Sequence, residues 1–335
     1  LTEKSAEPRA RVLSGIQPTG NVHIGNYLGA IRHWVANQAR AENYFVIVDL
    51  HSLTVPQDPE LLRANIRELA GILIAAGIET GRSVLFQQSH LPAHAEIAWI
   101  LNCYIPLGWL ERMTQFKDKV GENRERASTG LFTYPALMAS DILLYDATHV
   151  PVGDDQRQHL ELTRDVAERL NKQLGYGTVV VPKAAIPPRA ARVMSLSNPD
   201  AKMSKSDGPH AGAVMVLDDP DRIRRKIRRA VTDSKNSIRF DPDRPGVYNL
   251  LSIYQALDGR PEDEIEAEFD GLGYGQLKDR VADALIETLR PLRSRYLELA
   301  RDPGQIDSIL ASGAERAGPV AQATRDRIYE RIGLI

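Results

Sequence analysis

The chain has 335 residues, enough for one large α/β domain and a smaller companion. With 43% hydrophobic and 26% charged residues it falls in the ordinary soluble class, and a net charge of −2 excludes a uniformly basic polyanion binder, so any nucleic-acid contact must come from local patches. The single cysteine, Cys103, excludes a disulfide framework and a cysteine-rich zinc or iron–sulfur site, and no apolar run reaches membrane-spanning length; both fit a cytoplasmic protein with no membrane contact.

Residues 1–10 read as a polar, loose tail without the apolar core of a signal segment. "RVLSGI" (11–16) predicts a short strand closed by the turn "QPTGN", after which Ile24, Leu28, Ile31 and Val35 recur at helical spacing. "NYFVIVDLHSLT" (43–54) is a second β-rich run, and its continuous apolar core predicts a buried parallel strand. "DPELLRANIRELAGILIAAG" (58–77) predicts a helix, with Pro59 in its first turn and Gly77 at its end. "SVLFQQS" (83–89) is a third strand and "AHAEIAWILNCY" (93–104) a third helix. This alternation predicts the α/β class, with a doubly wound parallel, Rossmann-like sheet over residues 11–200. Ligands of such sheets bind at the carboxyl ends of the strands, here "GIQPTGNVHIGN" and "DLHS".

Within a region inserted near 105–130, "KDKVGENRERASTG" (117–130) predicts an exposed, mobile segment. "FTYPALMASDILLYDA" (132–147) predicts a helix with Pro135 in its first turn, "THVPVG" a short strand, and "DDQRQHLELTRDVAERLNKQ" (154–173) an amphipathic helix. "AKMSKSDG" (201–208) is a polar loop. After about residue 218 the strand signal fades. The expectation is a helical domain over 207–305, then a last helix within 306–335 that packs back on the sheet domain.

Several stretches carry chemistry. In "PTGNVHIGN" (18–26) Gly20 and Gly25 let backbone approach a ligand, and His23 and Asn26 sit at a helix entry that favours phosphate. A plain strand–turn–helix with a capping asparagine accounts for the same residues, and neither a Walker A pattern nor G-x-G-x-x-G is present. "KMSKS" (202–206) sets Lys202 and Lys205 beside Ser204 and Ser206, a set able to clamp phosphates. In isolation a solvated loop is the plainer reading; together with "HIGN" far upstream it is not. In "YPALMASDILLY" (134–145) the strongly polar members are Ser140 and Asp141, and a carboxylate on so apolar a helix needs a partner. Tyr134, Met138, Asp141 and Tyr145 share one face. That face is either core, with Asp141 meeting a basic neighbour, or a ligand pocket. "VPVGDDQRQH" (150–159) is either a helix cap or a ribose site with Asp155 accepting from the hydroxyls. "RIRRKIRR" (222–229) is a charged surface helix or an RNA-backbone contact, with Ile223 and Ile227 as its buried stripe; "RPLRSRY" is a weaker case. His90 and His94, with Pro92 between them and no following glutamate, do not form a metal site.

The blocks "GIQPTGNVHIGNYLGAI", "TYPALMASDILLYDA", "VPVGDDQRQHLELTRDVAERLN" and "KMSKSD" resemble the signatures of the class I aminoacyl-tRNA synthetases, and more narrowly the bacterial-type tryptophanyl family, from about residue 11 to the last. Asn26 stands where the general class has a second histidine, as is usual in the tryptophanyl family, and so implies phosphate contact, not proton transfer. The resemblance implies ATP contacts from Gln17, Pro18, Thr19, His23, Gly25 and Asn26, from Gly153, Asp154 and Asp155 at the ribose, and from the Val193 backbone at adenine. Lys202, Met203, Ser204, Lys205 and Ser206 would meet the phosphates, with Lys119 reaching them on closure. For tryptophan it implies Asp141 at the indole N–H, Leu13, Met138, Val150 and Val152 as apolar lining, and Tyr134, Gln156 and His51 near the ammonium and carboxylate. Implied partners are L-tryptophan, ATP with Mg2+ and without protein metal ligands, tRNA(Trp) and a second copy in a homodimer. The rivals are a tyrosyl-specific sister enzyme, a small-molecule nucleotidyltransferase and a non-catalytic RNA-binding paralogue. The last would be expected to lack the loop lysines.

Overall fold

Alternating side chains decide the architecture. Tyr44 and Val46 pack into one apolar cluster while Phe45 and Ile47 pack into another, so the strand that carries them is buried on both faces. The computed structural model describes residues 9–20, 22–114, 127–153, 156–185, 193–204 and 212–335. Five strands, β1 (Arg11–Ile16), β2 (Glu42–Ile47), β3 (Val84–Gln87), β4 (His149–Pro151) and β5 (Lys183–Ala185), form one parallel sheet in the order β3-β2-β1-β4-β5. The chain winds outward from β1 to β3 on one side and from β4 to β5 on the other. The carboxyl ends of β1 and β4 therefore flank the point where the order reverses, the place where open α/β sheets bind ligands.

The helix Pro59–Ala76 begins and ends as its sequence predicts. Asp58 accepts from the Leu61 amide at 2.8 Å, Pro59 opens the first turn and Gly77 ends the last. Three expectations are corrected, and one strand was not foreseen. The run after "HIGN" is helical but not uniform: Ile24–Asn26 and Arg32–Asn37 are α, and Tyr27–Ile31 between them is π. Ile24, Leu28 and Ile31 are fully buried there. The second β-rich run stops at Ile47, and Asp49–Ser52 coil into a short helix because Gln87 and Ser89 hold the Asp49 carboxylate. The helix Thr129–Leu143 starts earlier than its apolar pattern suggests, since the Ser128 hydroxyl caps the Leu131 amide at 3.2 Å; Pro135 thus lies inside it. Strand β5 is only three residues long and mostly exposed, and it shows no apolar run to read.

Beyond the sheet come the helices Pro220–Arg228, Pro245–Asp258, Glu262–Glu268 and Tyr274–Leu299. The last helix, Pro303–Ile332, crosses β3, an edge strand. A Cβ on Gly313 would lie 1.8 Å from the Leu85 carbonyl oxygen, so only glycine allows this crossing. Arg316 donates to the carbonyls of Thr80 and Ser83, and Arg327 to the Thr178 carbonyl and the Asp146 carboxylate at 2.7 and 2.6 Å. The helix thereby covers a sheet edge that would otherwise invite pairing. Among the described residues no helix is long and apolar enough to cross a membrane.

Candidate active site

A cavity of about 370 Å³ opens at the β1/β4 reversal point. β1 contributes Leu13, β4 and its extension contribute Val150 and Val152, and the helix Thr129–Leu143 contributes Tyr134, Met138 and Asp141. His51, from the short helix after β2, and Gln156, at the cap of the helix Arg157–Leu174, complete the set. All eight residues assigned to tryptophan by resemblance thus line one cavity. Gln17, from the ATP set, lines it too, and so does Trp34, which packs on Phe45. A larger open groove of about 590 Å³ runs along His90, Glu315 and Pro319, and none of the sequence-predicted site residues lies in it.

Asp141 is 3% exposed, and its partners explain how a carboxylate survives there. Oδ2 lies 2.8 Å from His51 Nε2, and Oδ1 accepts from Gln88 Nε2 at 2.6 Å and lies 2.7 Å from His94 Nδ1. Burial alone would raise the Asp141 pKa, but the hydrogen bonds and charge of His51 and His94 outweigh it and hold the carboxyl below its ordinary value. On its far side His94 meets the Tyr145 hydroxyl at 2.7 Å, and Tyr145 stacks on Tyr44 with ring centroids 5.0 Å apart. Both readings of this helix's polar face therefore hold at once: Asp141 meets basic neighbours and also lines a cavity.

Gln88, His94 and Tyr145 escaped the site prediction. A signal existed for His94, because His94, Ile97 and Leu101 recur at helical spacing and place it on a buried stripe. His159 was missed as well. It is buried on the helix Arg157–Leu174 and its Nε2 lies 2.6 Å from the Tyr134 hydroxyl, so the phenol facing the cavity is held from behind. Burial pushes the Tyr134 phenol up to about 12, which keeps it neutral at ordinary pH.

The two phosphate-type motifs meet in space. The Ile24 amide donates to the Val214 carbonyl, the Val216 amide donates to the Val22 carbonyl, both at 2.9 Å, and His23 bridges Met215 between them. The segment that follows the "KMSKS" loop is therefore paired with "VHI" of the first turn. The His23 ring lies where a side chain at residue 25 would be, 2.9 Å from that Cβ position, so any larger residue at 25 would push the ring aside. Asn26 Oδ1 accepts from the His23 amide at 3.1 Å, which leaves its NH₂ group as the side able to meet an anion. On the loop's near side the Met203 amide donates to the Val193 carbonyl at 3.1 Å, and Lys202 bridges Met194. Met203 and Val193 are buried in the core, Ser204 is half-buried, and Lys202 is exposed. Pro18 is buried, whereas Gln17, Thr19 and Gly153 are exposed. Lys119, Asp154, Asp155, Lys205 and Ser206 lie outside the described residues.

Two contacts from the helical region anchor this loop's base. Buried Asn249 makes a paired hydrogen bond to the Met194 amide and carbonyl, both at 2.9 Å. Asp218 accepts from the Met215 amide at 2.9 Å and from buried Lys226 at 2.6 Å. Lys226 belongs to "RIRRKIRR", where Arg222 also pairs with Asp218, Arg224 with Asp283 and Arg228 with Asp279. Four of the run's six cations thus bind the protein's own acids, and its density reflects helix packing as much as any outward surface. Among the described residues no group of three or more His, Cys, Asp or Glu side chains is arranged to hold a metal.

The family profile of the tRNA synthetases class I (W and Y) matches residues 4–290. A tryptophan--tRNA ligase from Wolinella succinogenes is 51% identical over 327 residues, covering 98% of this chain and 99% of that protein. The crystal structure of tryptophanyl-tRNA synthetase from Mycoplasma pneumoniae superposes with a TM-score of 0.89 at 36% identity, covering 97% of this chain and 98% of that one. That of Campylobacter jejuni tryptophanyl-tRNA synthetase, complexed with ADP and tryptophan, gives 0.84 at 35% identity and covers 96% and 99%. By its sheet order, its cavity and these likenesses, the chain belongs to the class I tRNA synthetases for tryptophan and tyrosine, on their bacterial tryptophanyl side.

Proposed function

We propose that this chain activates L-tryptophan with ATP, forming tryptophanyl-adenylate and pyrophosphate, and then transfers tryptophan to the 3′ end of tRNA(Trp). The observation that carries this reading is the single cavity at the β1/β4 reversal, in which an ionised, buried Asp141 faces apolar lining. Indole has one hydrogen-bond donor, its N–H, and a carboxylate is its natural acceptor. Phenylalanine has no ring donor and would leave one acceptor position of that carboxylate unfilled, a loss of about 1–3 kcal/mol. Met138, Val150, Val152 and Leu13 supply the apolar lining, while Tyr134, Gln156 and His51 stand toward the ammonium and carboxylate.

In activation a carboxylate oxygen of tryptophan attacks the α-phosphorus, the bond from that phosphorus to the bridging oxygen breaks, and pyrophosphate leaves. A hydroxyl of the terminal tRNA ribose then attacks the acyl carbon, and AMP leaves. Such chemistry asks the protein for positioning and charge neutralisation. Asn26 donates its NH₂ group to phosphate beside His23 and Gly25, with Gln17, Pro18 and Thr19 along the same turn. Lys202 and Lys205, with Met203, Ser204 and Ser206, neutralise the departing phosphates, and Lys119 joins them on closure. Gly153, Asp154 and Asp155 receive the ribose, and the Val193 backbone receives adenine. Magnesium would enter with the ATP substrate, held by its phosphates. The helical region over 207–305 receives tRNA, and two copies of the chain form the working dimer.

ATP–pyrophosphate exchange measured against each of the twenty amino acids tests the reading. Exchange with tryptophan is expected; exchange with tyrosine alone, or with none, overturns it.

A further inference from the structure

Two buried side chains that do not line the cavity control which atom of Asp141 can meet a ligand. Gln88 is fully buried at the end of β3. Its Oε1 accepts from the Leu50 amide at 3.0 Å, and an amide N–H can only donate, so Nε2 is the atom that faces Asp141. His94 is fully buried on the helix Ala93–Tyr104. Its Nδ1 reaches the same Oδ1, its Nε2 is held by the Tyr145 hydroxyl, and the Ser140 hydroxyl donates to its backbone carbonyl at 2.8 Å. Oδ1 therefore has two protein partners and no room for a third. Oδ2 has one, His51, and keeps one free position.

We infer that Gln88 and His94 are positioning residues for substrate selection: by filling Oδ1 they leave Asp141 one open acceptor position, so that the pocket demands an N–H donor from the aromatic ring of its substrate. The inference rests on the reading of this cavity as a tryptophan site. A carboxylate fixed at one oxygen cannot turn to satisfy itself when the ring lacks a donor, and a buried unpaired acceptor weakens binding. A carboxylate freed from Gln88 or His94 can turn, and the missing N–H then matters less.

The test compares tryptophan with 3-(benzothiophen-3-yl)alanine, a near-isostere with sulfur in place of the ring N–H, by kcat/KM in ATP–pyrophosphate exchange. Gln88→Met and His94→Leu are expected to reduce the preference for tryptophan about tenfold or more, with the KM for ATP unchanged. His94→Asn keeps a donor near the place of Nδ1 and is expected to retain most of the preference. Variants that lose activity on both substrates alike, with the wild-type ratio kept, would show a merely structural role and overturn the inference. If His94→Leu does not fold, Gln88→Met decides alone. A wild-type protein that activates no tryptophan would instead overturn the tryptophan reading beneath it.

Discussion

The proposed amino-acid side and the proposed nucleotide side of the site are built on opposite plans. Around Asp141 each polar group is locked by another buried one: His51, Gln88 and His94 hold the carboxylate, Tyr145 holds His94, and His159 holds Tyr134. On the nucleotide side the backbone is what is fixed. The "HIGN" turn and the segments flanking the "KMSKS" loop are held by backbone hydrogen bonds, while Lys202 is an exposed residue. The difference follows the task. Telling indole from other rings needs a preorganised, desolvated acceptor, whereas neutralising phosphates needs long cationic side chains on an accessible segment.

This contrast can be broken from either side. The largest effect is expected from Lys205→Ala, which should slow adenylate formation about 100-fold or more while tryptophan affinity, read by equilibrium titration without ATP, stays as it was. A normal single-turnover rate would remove the loop from the chemistry. Asp141→Ala should invert the pattern. A loss of about 3 kcal/mol, on the order of 100-fold in kcat/KM for tryptophan, is expected with little change in the KM for ATP. Unchanged discrimination between tryptophan and phenylalanine would take Asp141 out of recognition.

Asn249→Leu probes the boundary between the two plans, because it removes a side chain that pins Met194 from the helical region. It should lower stability by about 1–3 kcal/mol in denaturant unfolding, and should slow adenylate formation without altering tryptophan affinity. The smallest effect concerns Tyr134. Its folded-state pKa is raised from 10.0 to about 12, so its contribution to stability is complete below pH 10 and is lost as the pH rises toward 12. Ultraviolet titration should show one fewer late-ionising phenol in Tyr134→Phe; loss of a phenol from the ordinary range near pH 10 instead would place that phenol in water.

Periodic features of this molecule were readable in its sequence. β1 and the helices of residues 59–76 and 93–104 follow from apolar composition and spacing, Pro59 and Gly77, all local signals. Six of the eight predicted cavity residues, all but Leu13 and His51, sit in the short blocks that resemble a family; spacing alone does not reveal a pocket. What stayed hidden was of three kinds. β5 is too short to have a period. The π turn at Tyr27–Ile31 leaves the apolar pattern looking helical. The buried partners of Asp141 come from three other elements, and tertiary pairing of polar side chains leaves little trace along a chain. "RIRRKIRR" teaches the converse: a conspicuous charge run turned out to owe much of its composition to ion pairs with Asp218, Asp279 and Asp283.

The most direct test of a prebuilt amino-acid side is a crystal structure with tryptophan and no ATP. The account predicts the indole nitrogen about 3 Å from Asp141 Oδ2, with His51, Gln88 and His94 still on the carboxylate as they are without ligand. An indole bound elsewhere, or an Asp141 that has left Gln88 and His94 to meet it, would contradict the account.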